Sequence, residues 1–256
     1  MQLNDYLAIN IFHLLLIFAH ISVIFLLFPG VSAGYVPARL RLIVALLVTV
    51  LVLPIVQDTL PLQPDSPAEL IKLIAIEVVI GGFIGALIQF LMVALEVAGH
   101  MMSMALGLMN AFIDDPVQEE QSAILIGFLN LIAVALIFIT GLHHVIIAAM
   151  VDSYGLFQVG APLFTDDMLN MAVSMLVQTF YMAVRLAAPL VIFEMIFQIT
   201  SGVLSRLSPQ LNVFFVVLPG KIMLGIAILM IVLPTLMLLF MQYMDNNLNA
   251  LLNPVR

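Results

Sequence analysis

Residues Tyr6 to Phe28 read YLAINIFHLLLIFAHISVIFLLF, 23 positions without an Asp, Glu, Lys or Arg. As an α-helix that run is ~34 Å long, enough to cross the hydrocarbon core of a bilayer. It is too long for a signal peptide, and the only charge before it is Asp5 rather than a basic cluster, so no cleavable signal is expected. The rest of the 256-residue chain is of the same kind. It is 64% hydrophobic and 9% charged, with a mean hydropathy of +1.25. A soluble domain carries roughly 25% charged residues, and this chain has too few to cover a water-facing surface. The apolar runs are continuous rather than alternating, which excludes an outer-membrane barrel. The reading is an all-α membrane protein of about six long, broken hydrophobic helices arranged as hairpins.

The six apolar segments fall near 6–28, 40–56, 70–95, 121–150, 168–204 and 222–244. Pro29-Gly30 and Gly34-Tyr35-Val36-Pro37 punctuate the first connection, and Pro61, Pro64 and Pro67 the second. Arg39 and Arg41 in the first loop, with Arg206 and Lys221 around the turn after the fifth segment, put loops of one parity in the cytoplasm. Both termini are then expected outside. Two stretches exceed a simple span. Leu70–Ile113 is ~66 Å as one helix and Met168–Ser205 ~57 Å, about twice the hydrocarbon thickness. Either they break, at Gly99 and Pro189 for example, or they project far beyond the bilayer.

Several function classes are excluded by composition. The chain has no cysteine, so it is no disulfide scaffold, and a zinc site would need histidines and carboxylates alone. Seven Lys+Arg against fifteen Asp+Glu leave no basic face for nucleic acid. No Gly-x-Ser-x-Gly, Walker A, His-Glu-x-x-His or Gly-x-Gly-x-x-Gly pattern occurs, and neither an enzyme nor a cofactor is expected.

Polar residues inside the apolar runs carry the functional signal. Gly82, Gly85, Gln89, Glu96, His100, Ser103, Gly107, Asn110 and Asp114 recur every three, four or seven residues, one face of a helix. Two readings fit this stripe: a helix lining a water-filled path, or a close helix–helix seam. Met92, Met101, Met102, Met104 and Met109 place five of seventeen methionines within 18 residues. Methionine repacks easily, which suits a deformable gasket. Asp114-Asp115-Pro116-Val117-Gln118-Glu119-Glu120 follows, four carboxylates behind a helix-stopping proline. In the fifth segment Ser174, Gln178, Tyr181 and Arg185 share a face, as do Glu194, Gln198, Ser201 and Ser205. Arg185 and Glu194 point to opposite sides and each needs a partner on another helix or subunit. His13 and His20 share a face and read as a seam, and His143 and His144 are expected to point apart.

Three stretches carry a family resemblance: Gly99-His100-Met101-Met102-Ser103 through Leu106-Gly107 to Asp115-Pro116; Arg206-Leu207-Ser208-Pro209-Gln210-Leu211-Asn212-Val213-Phe214 with Leu218-Pro219-Gly220-Lys221; and Val36-Pro37-Ala38-Arg39. Together, and over the whole chain, they resemble the FliR/SctT family of type III secretion export-gate membrane proteins. The resemblance implies a structural and gating subunit of the flagellar protein-export gate, part of the flagellar basal body in the bacterial inner membrane. It implies FliP-like and FliQ-like partner subunits, FlhA- and FlhB-like export proteins beside them, and unfolded exported proteins as cargo. It implies a FliP-like part at 1–165 and a FliQ-like helical hairpin at 166–256, stacked in a cone that stands partly above the membrane. It implies a plug at Met101, Met102, Ser103, Met104, Gly107, Met109, Asn110, Asp114, Asp115 and Pro116. Subunit contacts are expected through Arg185 or Glu194, which lie on opposite faces, and through the turn that holds Arg206, Pro209, Gln210, Asn212 and Lys221. A stand-alone secondary transporter with intramembrane Arg and Glu sites is the competing reading.

Overall fold

A computed structural model describes residues 3–31, 36–64, 66–108, 121–157, 159–160, 165–207 and 213–252. Among them are seven α-helices and no strand. They are α1 (Leu3–Leu27), α2 (Ala38–Val56, followed by the 3-10 turn Gln57–Thr59), α3 (Pro67–Leu106), α4 (Gln121–Ile139), α5 (Leu142–Leu156), α6 (Thr165–Leu207) and α7 (Val213–Leu252). The all-α expectation holds, and four of the helices are long and apolar enough to cross a membrane, or five spans if α4 and α5 count as one broken span.

The two over-long stretches do not break where the sequence offered breaks. α3 runs 40 residues straight through Gly99, and α6 runs 43 through Pro189. Each is therefore ~60 Å or longer. Gly99 serves packing: a Cβ there would sit 2.9 Å from Ile126 Cγ1 of α4. Pro189 removes only the one amide that would have bonded the Arg185 carbonyl, and the flanking turns carry the helix on. The break comes instead inside the segment 121–150, where Gly141 (φ +81°) separates α4 from α5. α7 begins at Val213, so Pro219, Gly220 and Lys221 lie within a helix rather than in a turn.

The chain forms two compact units. The first holds 1–90, 140–175 and 246–256; the second holds 91–139 and 176–245. In the first, α1 buries Phe12, Leu16, Ile17, Ile21, Ile24 and Phe25, a 3–4 residue repeat that makes one continuous stripe, with Phe28 buried just past its end. That stripe meets α3 at Gly81 and Gly85, four residues apart. A Cβ at Gly81 would fall 2.5 Å from the His20 carbonyl oxygen, so only glycine lets the two backbones approach this closely. In the second unit α3 runs antiparallel to α4, and α6 antiparallel to α7. Thr179 on α6 lies 3.3 Å from the Tyr243 hydroxyl on α7, and Glu194 faces Lys221 further along the same pair.

Candidate functional site

In the first unit a polar relay crosses three helices. Glu77 (α3) and His20 (α1) are each 1% exposed, with Glu77 Oε2 at 2.9 Å from His20 Nδ1. His20 Nε2 is 3.1 Å from Ser153 Oγ on α5, and the Tyr154 ring lies 4.7 Å from the imidazole. Ser153 Oγ donates its one proton to the Met150 carbonyl at 2.6 Å. With that proton committed, Ser153 Oγ accepts from His20 Nε2, while Glu77 Oε1 and the Tyr154 hydroxyl are buried without a hydrogen-bond partner among the described residues. The order serine, histidine, carboxylate imitates a hydrolytic triad. Yet the serine is 2% exposed and its proton is already committed, so the cluster is a three-helix tie rather than a nucleophile. The sequence reading passed over Glu77. The signal was present: it is the single charged residue between Leu73 and Leu95, and a lone intramembrane carboxylate requires a partner. His13 behaves as a seam residue too, donating from Nε2 to the Pro61 carbonyl at 3.1 Å. His143 and His144 do not point apart: their ring centroids are 3.9 Å from each other.

In the second unit the residues expected at the plug begin at a well-defined helix end. α3 closes at Leu106 with Gly107 in the left-handed conformation (φ +74°). Gly107 N donates to Met104 O at 3.0 Å and Leu108 N to Ser103 O at 3.1 Å, the paired bonds of a Schellman stop. Met102 is 1% exposed and Ser103 fully buried, whereas Met104 is 59% exposed and Met101 half-buried. The methionines therefore do not share one face. Met109, Asn110, Asp114, Asp115 and Pro116 lie outside the described residues. Of the polar stripe, Gly85 packs on α1, Glu96 accepts from Asn130 Nδ2 of α4 at 3.4 Å, and His100 is exposed.

The end of α3 is clamped by α6 and α7. Lys221 Nζ lies 2.5 Å from Glu194 Oε2, with both side chains at least 86% buried, and Gln198 Nε2 donates to the other Glu194 oxygen. A Cβ at Gly107 would stand 3.5 Å from the same ammonium nitrogen. A cation beside the last turn of α3 also complements the partial negative charge of that helix end. One turn further along α7, a Cβ at Gly225 would overlap Leu106 Cδ2 and stand 3.3 Å from Phe193 of α6. Gly225→Ala therefore forces the buried Leu106 aside. It is expected to cost about 1–3 kcal/mol, read as a lower unfolding midpoint in detergent.

Glu194 and Lys221, both expected at subunit contacts, thus satisfy each other within the chain. Arg185 is different. It is exposed in mid-α6 beside exposed Gln178 and Tyr181, and has no partner among the described residues. Arg206 is exposed at the end of α6, and Pro209, Gln210 and Asn212 lie outside the described residues. No group of three or more His, Cys, Asp or Glu suited to a metal ion occurs among the described residues.

The family described as bacterial export proteins, family 1, matches residues 11–247. The flagellar biosynthetic protein FliR of Caulobacter vibrioides is 33% identical over 222 residues, covering 87% of this chain and 88% of the relative. The FliR proteins of Aquifex aeolicus and Escherichia coli are 28% and 26% identical, over 81% and 80% of this chain and 80% and 78% of their own lengths. The match takes in the α3 end, its α6–α7 clamp and the buried relay together, and the chain belongs to the bacterial export protein family 1.

Proposed function

We propose that this chain is a structural and gating subunit of the flagellar type III protein-export gate in the bacterial inner membrane, without enzymatic activity. With FliP-like and FliQ-like subunits it forms the channel through which unfolded flagellar proteins pass, next to FlhA- and FlhB-like export proteins. The observation that carries the reading is the near end-to-end match to export proteins whose curated members are named for flagellar biosynthesis. In this reading 1–165 is the FliP-like part and 166–256 the FliQ-like hairpin, and the segment 103–120 is the plug.

Two physical features support a subunit over a stand-alone transporter. A guanidinium turned outward from an apolar helix costs about 2.5–3.5 kcal/mol in lipid, so exposed Arg185, with Gln178 and Tyr181, calls for a polar protein partner. Glu194, which a transporter would use for substrate or proton, is already held by Lys221 and Gln198. Purifying the tagged chain from native membranes tests the reading. It should come with two other small, apolar membrane proteins, and Arg185→Ala should reduce their recovery severalfold while leaving the chain itself folded. Recovery of a stable, functional chain alone would refute the subunit reading.

A further inference from the structure

α1 and α2 enclose a groove of about 290 Å³ that the export reading does not use. Its walls are Phe18, Phe25 and Leu26 of α1 and Leu42 and Ala45 of α2, all apolar, with Arg41 and Ser22 as the polar contribution. Leu26 and Leu42 are 51% and 56% exposed, so the groove opens outward.

Arg41 stands in the first turn of α2, where the membrane span Ala38–Thr59 begins, and exposed Arg39 stands beside it. The first turn of a membrane span lies at the depth of lipid headgroups. Arg41 Nε is buried and has no hydrogen-bond partner. No carboxylate occurs between Tyr6 and Gln57, and the one acidic residue of α1, Asp5, lies at the end of that helix away from Leu26, so neither helix supplies an anion at the groove. A buried donor on a permanent cation is costly without an anionic acceptor. We propose that the groove is a binding site for one anionic phospholipid, with the phosphate on Arg41 and an acyl chain along Phe18, Phe25 and Ala45. The combination of cation at the interface and apolar trough along the span matches the amphipathic shape of that ligand.

The test uses the full chain, purified with any subunits that accompany it and stripped of lipid. Its affinity for phosphatidylglycerol and for phosphatidylcholine is measured by native mass spectrometry. The chain should prefer phosphatidylglycerol by about fivefold or more, and Arg41→Gln should lower that affinity about fivefold while Arg41→Lys retains most of it. Ala45→Leu, which fills the trough and keeps both charges, should weaken binding as well. Equal affinity of the unmodified chain for the two lipids would overturn the proposal without recourse to any variant. Thermal stabilisation by inorganic phosphate alone equal to that by phosphatidylglycerol would also overturn it, since the trough would then be idle. So would a photo-crosslinker at Leu42 that captures a protein subunit rather than lipid in native membranes.

Discussion

Replacing Glu77 by Ala should destabilise the chain by about 3–5 kcal/mol, the largest effect expected of any single substitution here. The reason is the state it leaves behind. His20 is 1% exposed and, among the described residues, is bonded to Glu77 and Ser153, so removing the carboxylate leaves a buried imidazole nitrogen without its partner among α1, α3 and α5. His20→Leu combined with Glu77→Leu should cost far less than the two single changes added together, because apolar side chains of similar bulk desolvate nothing. Denaturant unfolding of the four proteins in one detergent gives the coupling energy. Additive losses would mean that the relay is not the tie between these helices.

Lys221→Ala should cost on the order of 3 kcal/mol, again the signature of a broken buried pair. It leaves Glu194 mostly buried with Gln198 as its remaining donor, and removes the ammonium from beside Gly107. The loss should exceed that of Lys221→Arg, and it should be accompanied by reduced motility, because the end of α3 that Lys221 steadies is the root of the proposed plug. A variant that unfolds more easily yet swims normally would detach the clamp from gating.

The apolar runs made the helices legible, because a bilayer admits few alternatives to a helix for an uncharged run of this length. What the runs concealed was where helices stop. Proline and glycine are weak punctuation inside a long apolar helix, as Pro189, Pro219 and Gly99 show: one missing amide or side chain does not offset dozens of intact bonds. Gly141 and Gly107 do stop helices, and what distinguishes them is a positive φ, which spacing does not reveal. The site was legible to a similar degree. Periodicity picked out the residues at the end of α3 but not their distribution, since Met102 turns inward and Met104 outward. Lys221 was read as a loop cation because a charge beside Pro-Gly usually marks a turn; its burial depends on Glu194, 27 positions away. The relay was missed for the same reason: Glu77, His20 and Ser153 are 57 and 133 residues apart in their pairings, and no local pattern unites them.

The central claim, that this chain helps close a protein-conducting channel, is tested most directly by electrical conductance. Removing residues 109–118 keeps the Gly107 and Leu108 bonds that cap α3, and so separates the plug from its root. Planar bilayers containing the purified complex with this deletion should show steady ion conductance, while the unmodified complex stays silent and both assemble equally well. A deletion complex that assembles fully and leaves the bilayer as tight as before would contradict the account.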